Sequence, residues 1–250
     1  MWTWAAASVR GTSHERTGTR RQDAFRCTVV NGGKTLIGIT CDGAGSASHG
    51  GEGASLAARV LSTLAEAYMR EAAELPSDDA VWEWIDDVRD RLIVAAHRRL
   101  LTPRDFATTV VMVIALPGQS LTIHIGDGAA VGRTACDHKW VPLGWPEHGE
   151  FASATYFITD EAQVRARLLR SQETLDRVAL MTDGIERLAL DLTNSVPHAP
   201  FFSGISEPVA QSAATGLDHK LSATLARYLN SDTINQRTDD DKSLIVATWR

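Results

Sequence analysis

The sequence contains little cysteine and no long apolar run. Its cysteines, Cys27, Cys41 and Cys136, are odd in number, widely spaced and form no Cys-x-x-Cys pair, which argues against both a disulfide framework and a structural zinc site. No window approaches the ~18 consecutive apolar residues of a membrane helix, and the N-terminus lacks the basic and apolar regions of a secretion signal. We therefore expect a cytoplasmic protein without a membrane partner.

The sequence also lacks an excess of basic residues. It carries 31 acidic against 25 basic residues, a formal net charge of −6, so no overall basic field attracts nucleic acid and nucleic-acid binding is not expected. A hydrophobic content of 44% with 22% charged residues is ordinary for a globular protein and unlike a disordered or collagen-like one. Because no composition shift marks a linker, the sequence predicts one domain over residues 1–250.

Two β-hairpins are predicted from pairs of apolar segments. Each pair is joined by residues that favour a turn, Asn31-Gly32-Gly33 in the first hairpin and Pro117-Gly118 in the second. The strand-like segments are residues 24–30, 34–41, 106–116 and 119–134.

Helical patterns follow the first hairpin and recur in the second half of the chain. The segments that suit one or two helices are residues 51–75, 77–100, 161–175 and 205–230. The order of elements is therefore strands, two helices, more strands, helices and a closing apolar strand. This order favours an α+β domain with sheets sandwiched between helices over an alternating βαβ fold.

Aspartates recur at the ends of the predicted strands. They stand at Asp23, Asp42, Asp127, Asp183 and the run 239–241. Three of them are followed by glycine, which permits a tight turn and close approach of the backbone to a ligand. A single Asp-Gly is more often a plain turn, but repetition at strand ends indicates a shared site. Carboxylates without a thiolate or histidine cluster suit Mg²⁺ or Mn²⁺ and not zinc.

The order of these motifs resembles that of the metal-dependent protein serine/threonine phosphatases of type 2C, especially the short bacterial members. The resemblance covers nearly the whole chain and rests on six segments: GTSHERTGTRRQDAF, CDGAGSASHGGEGAS, FATTVVMVIA, IGDGAAVGR, LMTDGIERL and DDKSLIVA. Each segment is a weak signal alone, and their shared order makes the signal strong. The resemblance implies a central sandwich of two antiparallel β-sheets flanked by pairs of α-helices, with a metal site at one end.

The resemblance further implies ligands and a reaction. Asp42 would bridge two Mn²⁺ or Mg²⁺ ions, with Asp183 and Asp240 on one of them, and these residues would form the catalytic core. The implied metal ligands are Asp23 (through water), Asp42, Gly43 (through its carbonyl), Asp127 (for a third, weaker ion), Asp183 and Asp240. A hydroxide bridging the two ions would attack phosphoserine or phosphothreonine in proteins.

Two positions depart from the family pattern. Gly18 stands where the family commonly has a phosphate-binding arginine, and Ala44 where a histidine often donates a proton to the leaving group. A neighbouring arginine can bind phosphate, and an imidazole can donate a proton at neutral pH. The candidate replacements are Arg16, Arg20 and Arg21 for phosphate binding and His14 and His49 for proton donation. For each arginine, the alternative is a solvated position on a surface loop.

These departures leave a second function open, a weak or inactive family member that binds a phosphorylated partner as a regulatory module. The retained Asp42, Asp183 and Asp240 oppose it because unused clustered carboxylates repel one another. A small-molecule phosphatase or another two-metal hydrolase shares the same chemistry. For the leading function we expect a phosphorylated protein substrate, with a cognate serine/threonine kinase as a candidate partner. Substrate choice would be encoded in residues 134–177, where the family has a variable flap.

Overall fold

The structure is a computed structural model that describes residues 1–147, 155–160 and 164–250. The strands are β1 (Trp2–Val9), β2 (Asp23–Val30), β3 (Thr35–Asp42), β4 (Val110–Leu116), β5 (Gln119–Ile125), β6 (Ala129–Thr134), β7 (Trp140–Gly144), β8 (Arg167–Ser171), β9 (Leu175–Met181), β10 (Leu190–Asp191), β11 (Val196–Pro197), β12 (Gly216–Leu217) and β13 (Lys242–Trp249). The helices are α1 (Thr12–Thr17), α2 (Gly50–Glu71), α3 (Asp78–His97), α4 (Glu186–Ala189), α5 (Ala199–Ala210), α6 (His219–Leu229) and α7 (Asp232–Asn235). Short 3₁₀ helices cover Pro103–Phe106 and Asp183–Ile185.

Two sheets form the centre of the fold. Sheet I has the strand order β2-β3-β4-β5-β8, and sheet II has the order β12-β1-β13-β9-β6-β7. Neighbouring strands run antiparallel, except that the two-residue β12 pairs parallel with β1. The predicted pair of antiparallel sheets is confirmed, with β12 as the exception.

Apolar side chains fill three layers between the elements. Trp2, Leu36 and Ile245 belong to the layer between the sheets. A second layer packs α2 and α3 on the outer face of sheet I, and a third packs α5 and α6 on the outer face of sheet II. Burial of these apolar faces is the main favourable term in folding, and it gives the predicted four layers of helices, sheet, sheet and helices.

Turn chemistry sets the register of the first hairpin. Asn31, Gly32 and Gly33 all have positive φ, the conformation that Asn and Gly tolerate best. The resulting pairing of β2 with β3 places Asp23 directly opposite Asp42. A turn at one end of this hairpin therefore brings two carboxylates side by side at the other end.

The predicted helices are confirmed except in one segment. The side chain of Ser77 accepts a hydrogen bond from the Ala80 amide at 3.2 Å and caps α3 as expected. The helix predicted over residues 161–175 is wrong, because Arg167–Ser171 forms strand β8 at the edge of sheet I. An edge strand that is partly exposed on both faces has no clear apolar alternation, and its pairing with β5 depends on distant residues. Residues 161–163 lie outside the described residues.

The segment 134–177 crosses from one sheet to the other. Its β7 pairs with β6 in sheet II, and its β8 pairs with β5 in sheet I. The flap predicted there falls partly on residues 148–154, which lie outside the described ranges together with His148. The single domain over residues 1–250 and the flap stay predictions. In the described part of the chain, no helix combines the length and apolar character that crossing a bilayer requires.

Candidate metal centre

Five predicted ligand aspartates lie at the strand ends of one edge of the sandwich. Asp23 and Asp42 lie at the edge of sheet I, Asp183 and Asp240 lie at the edge of sheet II, and Asp127 lies in the turn that joins β5 of sheet I to β6 of sheet II. Burial first, and then the negative charges of the other four, raise the pKa of the Asp42 carboxyl well above its usual range. The structure therefore brings these predicted residues into one electrostatically coupled cluster.

The backbone of Asp42 is held by two threonines at the start of the next strand. The Thr108 hydroxyl and the Thr109 amide donate to the Asp42 carbonyl at 2.9 and 2.8 Å, and the Asp42 amide donates to the Thr109 hydroxyl at 3.0 Å. Gly43 follows without room for a side chain, because a Cβ there would lie 2.1 Å from the Gly50 carbonyl carbon. Asp42 is thus fixed where β3 meets the start of α2.

Asp183 lies against Asp42 across the two sheets. Burial first, and then the charges of Asp127 and Asp240, raise the pKa of Asp183 to about 7. Among the described residues, none bonds the buried Oδ1 of Asp183. Binding of a proton or a cation would therefore stabilise this pair of carboxyls.

Asp23 is buried and joins the two sheets. Its Oδ2 accepts hydrogen bonds from the hydroxyls of Thr182 at 2.7 Å and Ser243 at 2.8 Å, both in sheet II or at its edge. Its Oδ1 is buried and has no bonding partner in the described part of the chain. Burial raises the pKa of Asp23 to about 7, against the opposing effect of the two hydroxyls. One oxygen is thus structural and the other is available for a ligand or its water.

Asp240 and Asp241 have different surroundings although they are adjacent. Asp240 is exposed, and its Oδ1 accepts from the Asp241 amide at 2.7 Å. Asp241 is buried, and its two oxygens accept from the amides of Gly11 at 2.7 Å and Gln22 at 2.5 Å. Asp241 therefore ties the chain before β2 to the turn that precedes β13, and it leaves Asp240 as the open carboxylate.

This cluster fits a hard divalent cation. As they stand, no three of the described His, Cys, Asp and Glu side chains form a group that could hold a metal ion. Mg²⁺ usually keeps several waters and takes only one or two carboxylates directly, so coupled carboxylates with intervening water match its chemistry. The raised pKa values of Asp42, Asp183 and Asp23 mean that ionising these carboxyls costs free energy in the folded protein. A bound cation would offset that free-energy cost.

The two candidate proton donors contact different groups. Nδ1 of His14 lies 3.0 Å from Oδ1 of Asp241. Nδ1 of His49 lies 2.8 Å from the Ser48 hydroxyl, and its ring stacks on Phe106 at a centroid distance of 5.1 Å. The general-acid role stays a prediction for both.

The three candidate arginines differ in how they are engaged. Arg16 forms an exposed ion pair with Asp239 at 2.8 Å. Arg21 donates to the carbonyls of Ser8 at 2.8 Å and Asp23 at 3.2 Å. For Arg20, no ion-pair or hydrogen-bond partner exists among the described residues. It lines a groove of about 360 Å³ with His49 and the start of α2, so its guanidinium is the most available of the three.

Sequence reasoning misses the residues that hold the aspartates. It assigns Thr108 and Thr109 to strand packing, although their position in the phosphatase-like FATTVV segment is a usable signal. Thr182 and Ser243 occupy ordinary strand contexts, and only their cross-sheet approach to Asp23 gives them a role. Hydrogen bonds between distant segments leave no local pattern in the sequence.

Comparison with known proteins now adds an independent observation. The family model described as protein phosphatase 2C matches residues 10–229. The chain belongs to this family. Serine/threonine-protein phosphatase 3 of Escherichia coli is 38% identical over 256 residues, covering 99% of this chain and 98% of that protein. The family is one of metal-dependent phosphatases, and the expectation of a protein serine/threonine phosphatase is confirmed at this level.

Solved phosphatase structures share the fold of this family member. Serine/threonine phosphatase Stp1 from Staphylococcus aureus superposes with a TM-score of 0.66 at 14% identity, covering 100% of this chain and 96% of that one. RsbX in complex with magnesium gives a TM-score of 0.59 at 13% identity, covering 99% and 94%. At such identities the likeness shows the fold alone.

Proposed function

We propose that this phosphatase 2C family member hydrolyses phosphoserine and phosphothreonine in proteins at the aspartate cluster. The observation that carries the proposal is the convergence of Asp42 and Asp183 from different sheets, where burial and neighbouring negative charge raise the pKa values of both carboxyls. Clustered carboxyls with strongly shifted pKa values are typical of functional sites. The full-length likeness to a named serine/threonine-protein phosphatase supports the same reaction.

In this proposal the carboxylates hold two Mn²⁺ or Mg²⁺ ions, with a third, weaker ion at Asp127. Asp42 would contact both principal ions, and Gly43 would offer its carbonyl to one of them. Asp183 and Asp240 would hold the other, and Asp23 would contribute through water from its Oδ1, which has no bonding partner in the described part of the chain. When bound, the ions supply an activated water and neutralise charge on the phosphoryl oxygens.

Residues of the chain orient this chemistry and bind the substrate. Thr108 and Thr109 fix the backbone from which the Asp42 carboxylate extends. The guanidinium of Arg20 binds the substrate phosphate from the groove that it shares with His49. His14 and His49 are the candidates for donating a proton to the departing serine or threonine oxygen.

The physiological setting is part of the proposal. The substrate is a phosphorylated protein, and a cognate serine/threonine kinase that adds the phosphate is the expected functional partner. Cys27, Cys41 and Cys136 are free thiols, which fits a reducing cytoplasm.

The alternative, a phosphoprotein-binding regulatory module without turnover, draws support from Gly18 and Ala44, which stand in place of two residues that the family commonly uses. Against it stands the intact carboxylate cluster. A chain without a use for these carboxylates gains stability by losing them, because each ionised neighbour raises the free energy of the others. The hydrolytic function is therefore preferred.

The deciding experiment is hydrolysis of a panel of phosphothreonine and phosphoserine peptides with and without Mn²⁺. We expect release of phosphate that depends on Mn²⁺ and stops with a chelator. In the same assay Arg20→Ala should raise KM several-fold, whereas Arg16→Ala, whose guanidinium pairs with exposed Asp239, should change it little. Tight Mn²⁺-dependent binding of phosphopeptide without phosphate release would instead establish the regulatory alternative.

A further inference from the structure

His124 is a fully buried histidine that the proposed reaction does not use. It lies on β5 and faces the space between the two sheets, with an exposed fraction of 0%. Gly144 at the end of β7 packs on its ring so closely that a Cβ there would lie 2.8 Å from Cδ2. The imidazole is therefore held in one orientation by contacts from both sheets.

Both ring nitrogens of His124 are bonded, which determines the tautomer. Nδ1 lies 2.8 Å from Nη2 of Arg167, and Nε2 lies 2.8 Å from the carbonyl oxygen of Gly128. Arginine can only donate, so Nδ1 accepts from Arg167 and Nε2–H donates to Gly128. Burial lowers the pKa of His124 to about 4, with a smaller contribution from Arg167, so the neutral ring persists at neutral pH.

The carbonyl that His124 binds belongs to the turn that carries Asp127. Gly126 on one side of Asp127 has a φ of +98°, which favours glycine. A Cβ on Gly128, the residue on the other side, would lie 2.8 Å from a methyl of Val111 and 2.9 Å from the Met181 carbonyl. The turn is thus closely packed, and the His124 hydrogen bond determines where its last carbonyl points.

On its other side His124 connects to the segments that flank residues 148–154. Nη2 of Arg167 also donates to the Trp145 carbonyl, and its Nε lies 3.3 Å from Oε2 of Glu147. Oε1 of Glu147 lies 2.7 Å from Nε of Arg165. The Nη1 group of Arg165 donates a hydrogen bond to the Tyr156 hydroxyl at 2.8 Å. A continuous set of polar contacts therefore runs from these segments through Arg167 and His124 to the Asp127 turn.

We propose that His124 is a positioning residue that holds the 126–128 turn in register with the segments at 145–147 and 155–156, and thereby sets the affinity of the centre for the divalent cation at Asp127. The inference rests on the proposed function, in which Asp127 holds the weaker ion. His124 contacts neither substrate nor ion, and acts through the peptide between Asp127 and Gly128. Polar groups that orient metal ligands typically change metal affinity or activity by roughly 10-fold to 100-fold when removed.

The test is a calorimetric titration of the full chain with Mn²⁺ alone. Asp127→Asn identifies the binding step that belongs to Asp127. His124→Leu, which removes the hydrogen bonds of His124 to the Gly128 carbonyl and to Arg167, should weaken that same step by roughly 10-fold to 100-fold and leave the tighter steps unchanged. His124→Gln keeps a donor near the position of Nε2 and should recover most of the affinity. His97→Leu, at the exposed end of α3, is the matched control and should behave as the wild type.

The double variant His124→Leu/Asp127→Asn separates positioning from a general structural effect. If His124 acts through Asp127, the double variant binds Mn²⁺ as Asp127→Asn alone does. If His124→Leu fails to fold, as judged by circular dichroism, Arg167→Met takes its place, because it removes the partner of Nδ1 together with the contacts to Trp145 and Glu147 and keeps the imidazole on the Gly128 carbonyl. Arg170→Met on the same strand, whose guanidinium pairs with Asp78 at 2.6 Å, is then the control.

Wild-type affinity at the weak step in both His124→Leu and Arg167→Met overturns the inference, and so does a loss in the double variant that exceeds the loss from Asp127→Asn. The wild-type protein separates this failure from failure of the proposed function. A wild type that binds no Mn²⁺ and releases no phosphate overturns both proposals. A wild type that does both, with His124 variants that match it, overturns only the role of His124.

Discussion

The acidic cluster contains a fully hydrogen-bonded aspartate, Asp241, and a mutually repelling pair, Asp42 and Asp183. Asp241 has both oxygens bonded by backbone amides of Gly11 and Gln22. Asp42 and Asp183 instead face each other, and their pKa values are raised by burial and by neighbouring negative charge. A carboxylate with complete hydrogen bonding stabilises the fold, whereas the repulsion between neighbouring carboxylates has a free-energy cost that a proton or a bound cation offsets. Complete hydrogen bonding of the carboxylate oxygens therefore distinguishes Asp241 from the proposed metal ligands Asp42 and Asp183.

The largest expected effect is a loss of activity when a member of the mutually repelling pair is changed. Asp42→Asn keeps the shape of the side chain but removes the charge proposed to contact both ions. We expect kcat for a phosphothreonine peptide to fall by roughly three orders of magnitude or more. The metal-free variant should unfold at the same temperature as the wild type or higher, since one repelling charge is gone. A wild-type rate in the Asp42→Asn variant would remove Asp42 from the site.

The next largest expected effect is a loss of stability when the fully hydrogen-bonded Asp241 is changed. Asp241→Ala leaves the Gly11 and Gln22 amides without partners, and we expect the free energy of unfolding to fall by about 2–4 kcal/mol. Urea denaturation measures this loss. The folded fraction should keep far more activity than Asp42→Asn does, because Asp241 contributes no proposed ligand. Asp241→Asn, which retains one acceptor oxygen, should lie between the wild type and Asp241→Ala. Equal stability of all three proteins would contradict the structural role.

The smallest expected effect is the pH dependence of the stability of the metal-free protein. In the metal-free protein Asp23 and Asp183 have pKa values of about 7, against an unfolded value near 3.9. A raised carboxyl pKa means that the folded state binds the proton more tightly. The associated stability is therefore fully present below about pH 4 and is lost as the pH rises through 7.

Thermal unfolding in EDTA measures this pH effect. We expect the melting temperature to be roughly 3–8 °C lower at pH 8 than at pH 6. Saturating Mg²⁺ should remove or reverse the difference, because the ion replaces the protons. Asp183→Asn should reduce the slope in EDTA, whereas a wild-type melting temperature that is the same at both pH values would show that the carboxyls are not coupled as described.

Local chemistry in the sequence predicts a large part of this fold. The Asn31-Gly32-Gly33 turn, the Ser77 cap and the two long helices follow from backbone preferences and apolar periodicity, which act over a few residues. Strand β8 could not be recognised because its hydrogen bonds come from β5, more than forty residues earlier, as the pairing of Arg167 with His124 shows. Its composition alone does not distinguish an edge strand from a helix.

The candidate site also contains residues that the sequence predicts and residues that it does not predict. Aspartates followed by glycine at strand ends are visible in the sequence because the chemistry of metal binding restricts the residue type. The supporting groups are not visible, since hydroxyls such as those of Thr182 and Ser243 suit many environments. Likewise nothing local distinguishes His124 from an ordinary buried histidine, and its bonds to Arg167 and Gly128 appear only in three dimensions.

The pairing of β1 with β13 has a consequence for biosynthesis. Every residue from Trp2 to Val9 pairs with one from Lys242 to Trp249, and β13 lies between β1 and β9 in its sheet. A growing chain on the ribosome therefore holds β1 without its antiparallel neighbour until Trp249 has emerged. Asp240 and Asp241 directly precede β13 in the chain. In the proposed function, a chain that lacks this segment would therefore lack the Asp240 ligand as well as strand β13.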